Sequence, residues 1–228
     1  MKNIGIITAL EKESSQLEQI LGKPLKTDLY GHFLVKTYHS NGKNIYMVNS
    51  GVGQILASAA TQLIIELYKV DLVINYGFAG ANSTFKIGDT AVITGVCHYE
   101  FDTSAVDNCK PAHYTDLFDS QIIATNKLMQ DFCLNHIVGS KPAILASGDK
   151  FVCDNNVKKQ LFDSYGATVY DMEGAAITII TRLNNIPQIL IKVISDSNDS
   201  SEYCNFVELV QKTQIDFANF VQQILNNL

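Results

Sequence analysis

Hydrophobic positions along this chain follow two distinct periods. Residues 3–10, NIGIITAL, form an unbroken apolar run rich in β-branched residues, the pattern of a strand buried on both faces. EKESSQLEQIL follows at 11–21 with Leu17, Ile20 and Leu21 at helical spacing, so the chain opens as strand, turn, helix. HFLVKTYHS and KNIYMVNSG alternate on either side of NGK and predict a hairpin. QILASAATQLIIELY predicts a helix rich in small residues, VDLVINYGFAGA a second buried strand ending in glycines, and GDTAVITGVCHYEF another strand. DSQIIATNKLMQDFCLNHI is amphipathic and predicts a helix. KPAILASGDKFVC reads as strand into loop, NNVKKQLFDSYG as a short helix, ATVYDMEGAAITIITRLNNI as strand then helix, and PQILIKVISDSND as the last buried strand. Residues 205–227 predict a closing helix with Phe206, Leu209, Val210, Phe217, Phe220 and Ile224 on its apolar side.

Strands alternating with helices define an α/β protein, expected here as three α/β/α layers around a central mixed, twisted sheet. No linker, repeat or charge block interrupts the 228 residues, and 46% are hydrophobic, so residues 1–228 are expected to share one core. Ligands in such folds sit at the carboxyl ends of strands. Those ends carry Glu11 and Glu13, Ser50-Gly51-Val52-Gly53, Gly77-Phe78-Ala79-Gly80, Ser147-Gly148-Asp149 with Phe151, Asp171-Met172-Glu173, and Ser195-Asp196. Acids and small residues thus converge on one rim.

Composition narrows the chemistry. A net charge of −6 argues against a nucleic-acid surface, which shows clustered Lys and Arg. Five widely spaced cysteines without a C-x-x-C pair read as reduced thiols, and five histidines in no ligand pattern argue against a metal site. The first apolar run is too short for a signal peptide, and no run is long enough for a membrane helix. The expectation is a soluble cytoplasmic protein.

Single motifs here are ambiguous. SGVGQILA lacks the third glycine of a dinucleotide fingerprint, since Leu56 stands there, and Asp71 precedes a strand instead of ending one. That excludes NAD binding by this motif and leaves a tight turn, either structural or one that lets backbone approach a ligand. Asp196 after an apolar strand could be a helix N-cap, and Glu13 early in a helix could serve the macrodipole. Their shared position is what makes them site candidates.

IGIITALEKE with Glu13, NSGVGQILASAATQLII, DLVINYGFAGA, ASGDKFV, DMEGAA and VISDSND stand in the order found in the purine nucleoside phosphorylase-like superfamily. The chain most resembles its hydrolytic branch, the 5′-methylthioadenosine/S-adenosylhomocysteine nucleosidases, from residue 3 to about 225. The resemblance implies a nucleoside phosphorylase-like fold and a nucleoside substrate. It implies Asp196 as the acid that protonates N7 of the base and Glu13 as the group orienting the attacking water. Glu173 would accept the ribose hydroxyls, Met172 pack under the sugar, Phe151 stack on the purine, and Val152 offer backbone groups to the base edge. Val52, Phe78, Ala79, Gly80 and Ser195 complete the implied substrate-binding set. No cofactor is implied, and a homodimer is expected by resemblance.

A free aspartate has a pKa near ~3.9 and carries a proton roughly once in a thousand molecules at neutral pH. Asp196 must therefore be desolvated, or share its proton with N7 late in the reaction. The apolar ILIKVI run before it is expected to provide the desolvation.

Phosphorolysis needs a cationic cradle, for which arginine is the usual choice, yet Arg182 is the only arginine and lies late in a helix. Hydrolysis is therefore expected over phosphorolysis. Three departures from the family bear on the substrate. Phe78 replaces a small residue, so the pocket is narrowed or the ring turned outward. FDTSAVDNCKPAHYTD is shorter than the loop that covers the 5′-substituent. Asp171 replaces a glutamate, and its role is open. These leave 5′-deoxyadenosine, futalosine and other nucleosides as alternatives.

Overall fold

The structure is a computed structural model in which residues 1–197 and 218–227 are described. The elements run β1 (Asn3–Thr8), α1 (Glu11–Leu21), β2 (Lys26–Tyr30), β3 (Phe33–Ser40), β4 (Lys43–Asn49), α2 (Gln54–Tyr68), β5 (Leu72–Ala81) and β6 (Thr90–His98). They continue with α3 (Ser104–Asp107), β7 (Ile123–Ala124), α4 (Lys127–His136), β8 (Lys141–Ser147), α5 (Asn155–Tyr165), β9 (Val169–Asp171), α6 (Gly174–Leu183) and β10 (Gln188–Asp196). Residues 218–227 are helical.

Ten strands form one mixed sheet in the order β10-β6-β8-β9-β5-β1-β4-β3-β2, with β7 on β6. β10 also pairs with β5, so β5, β10, β6, β8 and β9 close into a ring. Helices cover both faces, as the alternating pattern predicts. One core holds Ile4, Ile6, Leu17, Ile74, Ile191, Phe220 and Ile224. Another packs Ile7, Val48 and Val73 under Ala57, Ile64 and Ile177 of α2 and α6.

Strand divergence creates an opening in the sheet. β1 runs parallel to β5 only as far as Ile7 opposite Asn75. β9 joins antiparallel to β5 only at Gly80 and Ala81. β10 stays paired with β5 throughout, Lys192 opposite Gly77 and Asp196 opposite Gly80. Residues 76–79 therefore have neither β1 nor β9 as a ladder partner on that edge. This is the crevice at strand carboxyl ends where α/β folds bind ligands.

Two expectations are corrected. The segment predicted as one helix from Asp119 to Ile137 contains strand β7, and α4 begins only at Lys127, because the Asn126 side chain accepts the Met129 N–H and caps it. Strand β2 was not predicted, since KTDLY is a largely exposed edge strand without apolar alternation. Of the closing helix, residues 205–217 lie outside the described part, while Phe220 and Ile224 are buried as expected.

Candidate active site

Glu13 stands on the first turn of α1 and is buried. Its Oε2 accepts the Leu10 N–H at 2.8 Å, the backbone half of a capping box. Its Oε1 reaches across the opening to accept the Phe78 N–H at 3.1 Å. Glu13 thus serves two places at once: one oxygen caps the helix start and the other reaches β5. Burial raises its pKa, against the Leu10 N–H, Lys192 and the Phe78 N–H, which lower it.

Lys192 is the residue that pattern reading missed. In ILIKVI it looks like an interruption of an apolar strand, but its side chain is only 2% exposed and its Nζ lies 2.8 Å from Asp171 Oδ2, itself 1% exposed. Burial works against its charge, yet Asp171, then Glu173 and Glu13, carry its pKa above the ordinary lysine range. The useful signal was chemical: a lysine inside a buried strand demands a buried carboxylate. That settles the position of Asp171, which holds Lys192 and accepts the Gly174 N–H at 3.0 Å. A Cβ on Gly77 would sit 3.0 Å from Glu13 Oε1 and 3.5 Å from Lys192 Nζ, so a larger residue here would press on the Glu13 carboxyl group.

Glu173 follows at the start of α6, and its Oε1 accepts the Gly53 N–H at 2.9 Å. Burial first, then the Asp171 charge, pushes its pKa up to about 7. Asp149 Oδ1 accepts the next amide, Gln54 N–H, at 2.7 Å. The N-terminus of α2 is thus filled by two of the protein's own carboxylates. Gly53 must be glycine on two counts, its φ of +102° and the 3.0 Å between a Cβ there and Asp149 Oδ1. In return, the Gln54 side chain accepts the Ala176 N–H at 2.7 Å and donates to Ser147 Oγ at 2.9 Å, while Ser147 Oγ accepts the Ala175 N–H. α2 and α6 cap each other across the rim.

Asp196 lies at the other end of the opening. Its Oδ1 accepts the Ser195 hydroxyl at 3.0 Å, and its Oδ2 stands 3.6 Å from Lys158 Nζ. A Cβ on Gly80 would come within 2.9 Å of Oδ2. The expected desolvation is corrected here: the Asp196 side chain is 30% exposed and faces a lysine. The alternative in which Asp196 caps a following helix concerns residues outside the described part.

Gly77 and Gly80, which seat Glu13 and Asp196, are three residues apart on β5, a span of about 10 Å at strand rise. Ala79 lies between them, buried, and its carbonyl accepts the Ser195 hydroxyl at 3.3 Å. The Phe78 ring is not turned out: it packs edge-on to Tyr76, centroids 6.4 Å apart, against the main core. Met172 is half-buried between the two carboxylates. Val152 is buried with Cys97, Ala112 and Tyr170. Phe151, 68% exposed, and exposed Val52 stand on the rim outside the acid cluster.

Five carboxylates (Glu13, Asp149, Asp171, Glu173 and Asp196) and two buried lysines are thus held at or beside these strand ends. Arg182, exposed near the end of α6, is about 13 Å from Glu173 along the helix axis. No helix among the described residues is long and apolar enough to cross a membrane.

The fold and this acid-lined opening define a class. Residues 3–228 match the family model of the phosphorylase superfamily, to which the chain belongs. Within it the chain belongs to the 5′-methylthioadenosine/S-adenosylhomocysteine nucleosidase family. The nucleosidase of that name from Buchnera aphidicola is 32% identical over 99% of this chain and 98% of the relative. The crystal structure of the Campylobacter jejuni 5′-methylthioadenosine/S-adenosyl homocysteine nucleosidase superimposes with a TM-score of 0.94 at 21% identity, covering all of both chains. The futalosine hydrolase of Helicobacter pylori superimposes with a TM-score of 0.88 at 23% identity, over all of this chain and 98% of that one.

Proposed function

We propose that this chain, acting as one domain over residues 1–228, hydrolyses the N-glycosidic bond of 5′-methylthioadenosine and S-adenosylhomocysteine. Adenine leaves, with methylthioribose or ribosylhomocysteine as the other product. The observation that carries this reading is the pair of carboxylates, Glu13 and Asp196, seated on glycines of one strand at the gap between β1 and β9. Asp196 gives a proton to N7 as the bond to C1′ breaks, and Glu13 orients the water that adds to the oxocarbenium-like sugar. Asp196, partly exposed, shares its proton late, as the leaving base gains basicity. Glu173 accepts ribose hydroxyls, and Met172 lies under the sugar. Phe151 stacks on the base, Val152 supplies backbone contacts, and Val52, Phe78, Ala79, Gly80 and Ser195 complete the walls.

Water is favoured over phosphate for an electrostatic reason. A helix N-terminus is where an anion would be welcomed. Here Glu173 and Asp149 already occupy the Gly53 and Gln54 amides, and Lys192 is committed to Asp171. A dianion would meet carboxylates at each of these points.

The direct test is adenine release from methylthioadenosine with and without phosphate; strict phosphate dependence would defeat the reading. Asp196→Asn and Glu13→Gln are each expected to lose about 10²–10⁴-fold in turnover, while both still bind a C-nucleoside analogue. A panel including inosine, 5′-deoxyadenosine and futalosine sets the base and 5′-group preference. We further propose a cytoplasmic homodimer. Exposed Ile55 on α2 lines, with Ile179 and Ile180 of α6, His98 and Tyr114, a cavity of about 220 Å³ that a second copy would cover.

A further inference from the structure

Lys158 plays no part in the chemistry above, yet its side chain is only 3% exposed. It projects from α5, where it shares a face with buried Leu161. Its Nζ donates to the Ala81 carbonyl at 3.0 Å, just past Gly80 on β5. The same nitrogen stands 3.6 Å from Asp196 Oδ2 and 5.9 Å from the centroid of the Tyr170 ring. The Tyr170 hydroxyl in turn donates to the Lys158 carbonyl at 3.1 Å, which fixes the backbone that carries the ammonium.

A buried ammonium is costly unless it is paired, and packing alone would be served by leucine or methionine at this position. Among the described residues, Asp196 is the carboxylate within ion-pair reach of Lys158. Among the described residues, the groups around Asp196 are this ammonium from α5, the Ser195 hydroxyl from β10 and the Gly80 backbone of β5. Tyr170 of β9 lies beyond the ammonium, and the Glu13–Asp171–Glu173–Lys192 cluster lies toward Gly77.

We propose that Lys158 is a positioning residue for Asp196, fixing the rotation of its carboxyl group and balancing the charge left when its proton passes to the base. In that step the O–H bond of Asp196 breaks and an N7–H bond forms. The electron pair of the C1′–N9 bond goes to the base, which leaves as neutral adenine. Asp196 remains as a carboxylate beside an ammonium that stays protonated throughout. Water then adds to C1′ and its proton passes to Glu13. The proposal rests on the reading of Asp196 as the acid.

The test uses the full-length chain and the variants Lys158→Met, Lys158→Arg, Asp196→Asn and the Lys158→Met/Asp196→Asn double variant. Lys158→Met is expected to lower kcat about 10- to 100-fold, with KM little changed. Lys158→Arg regains most of the rate. The double variant is no slower than Asp196→Asn alone, since Lys158 acts through that side chain. An active wild type with Lys158→Met unchanged in kcat overturns this proposal alone. So do losses that multiply in the double variant, or a rate loss that only tracks a lower melting temperature. A wild-type chain inert toward every nucleoside removes the functional reading and this proposal together.

Discussion

Glu173 carries the sharpest linkage between chemistry and stability at the level of single residues. Its carboxyl titrates near 4.5 in an unconstrained chain but is pushed up to about 7 in the fold, by burial and then by Asp171. Between those values the folded chain holds a proton that the unfolded chain releases. The favourable contribution is therefore complete below the lower value and is lost as pH rises through the upper one. Glu173→Gln stays neutral and can still accept the Gly53 N–H. It should be more stable than wild type by about 2–3 kcal/mol on the alkaline side, with the two curves converging in acid. Urea unfolding at several pH values checks this, and a difference independent of pH would contradict it. Substrate binding in the wild type should strengthen as pH rises through about 7, when Glu173 becomes a full acceptor. Gly80 gives a second handle. A methyl group there would stand 2.9 Å from Asp196 Oδ2. Gly80→Ala should therefore displace the acid and reduce kcat by about 10²-fold, while circular dichroism reports an intact fold.

At the level of elements, the site depends on α2 and α6 capping each other. Gln54→Ala removes the acceptor of the Ala176 N–H and the donor to Ser147 Oγ. An amide buried without a partner costs about 1–3 kcal/mol, so the melting temperature should fall. Because Glu173 immediately precedes α6, KM should rise more than kcat falls; a variant with wild-type melting and KM would show the interlock to be dispensable. The same elements mark what sequence could and could not reveal. α1, α2, α5 and the buried strands were legible because their apolar periods are long and bounded by polar turns. The break at Asn126 was not, because a cap is a single side-chain bond that hydrophobic periodicity does not register. Lys192 escaped because it was read by its neighbours' hydropathy, and Lys158 because nothing in its short polar helix marks it as buried. A buried charge is intelligible only with its partner, and Asp171 and Asp196 are distant in sequence from one or both lysines.

At the level of the whole molecule, the acids meet because of topology that no local pattern encodes. β1 leaves β5 after Asn75, β9 arrives at Gly80, and in the stretch between them Glu13 accepts the Phe78 N–H. Strand ends could be enumerated from sequence. The ring closed by the β10–β5 pairing could not be enumerated, since it depends on curvature. The rim also explains why assembly and activity should be coupled. Gln54 contributes its backbone amide to Asp149 inside the site, and its side chain lines the cavity shared with Ile55, Ile179 and Ile180 outside it. Ile55 is 78% exposed on α2, and Ile179 and Ile180 of α6 share the cavity with it. If a second copy covers this face, Ile55→Glu places a charge in an apolar contact, where an unpaired ion is strongly disfavoured. Sedimentation velocity should then show a dimeric wild type and a monomeric variant. Turnover should fall by about tenfold or more as the rim around Gln54 loosens. A monomeric wild type, or a variant that sediments and turns over as wild type does, would separate the apolar face from assembly and leave Ile55 as a feature of the isolated chain.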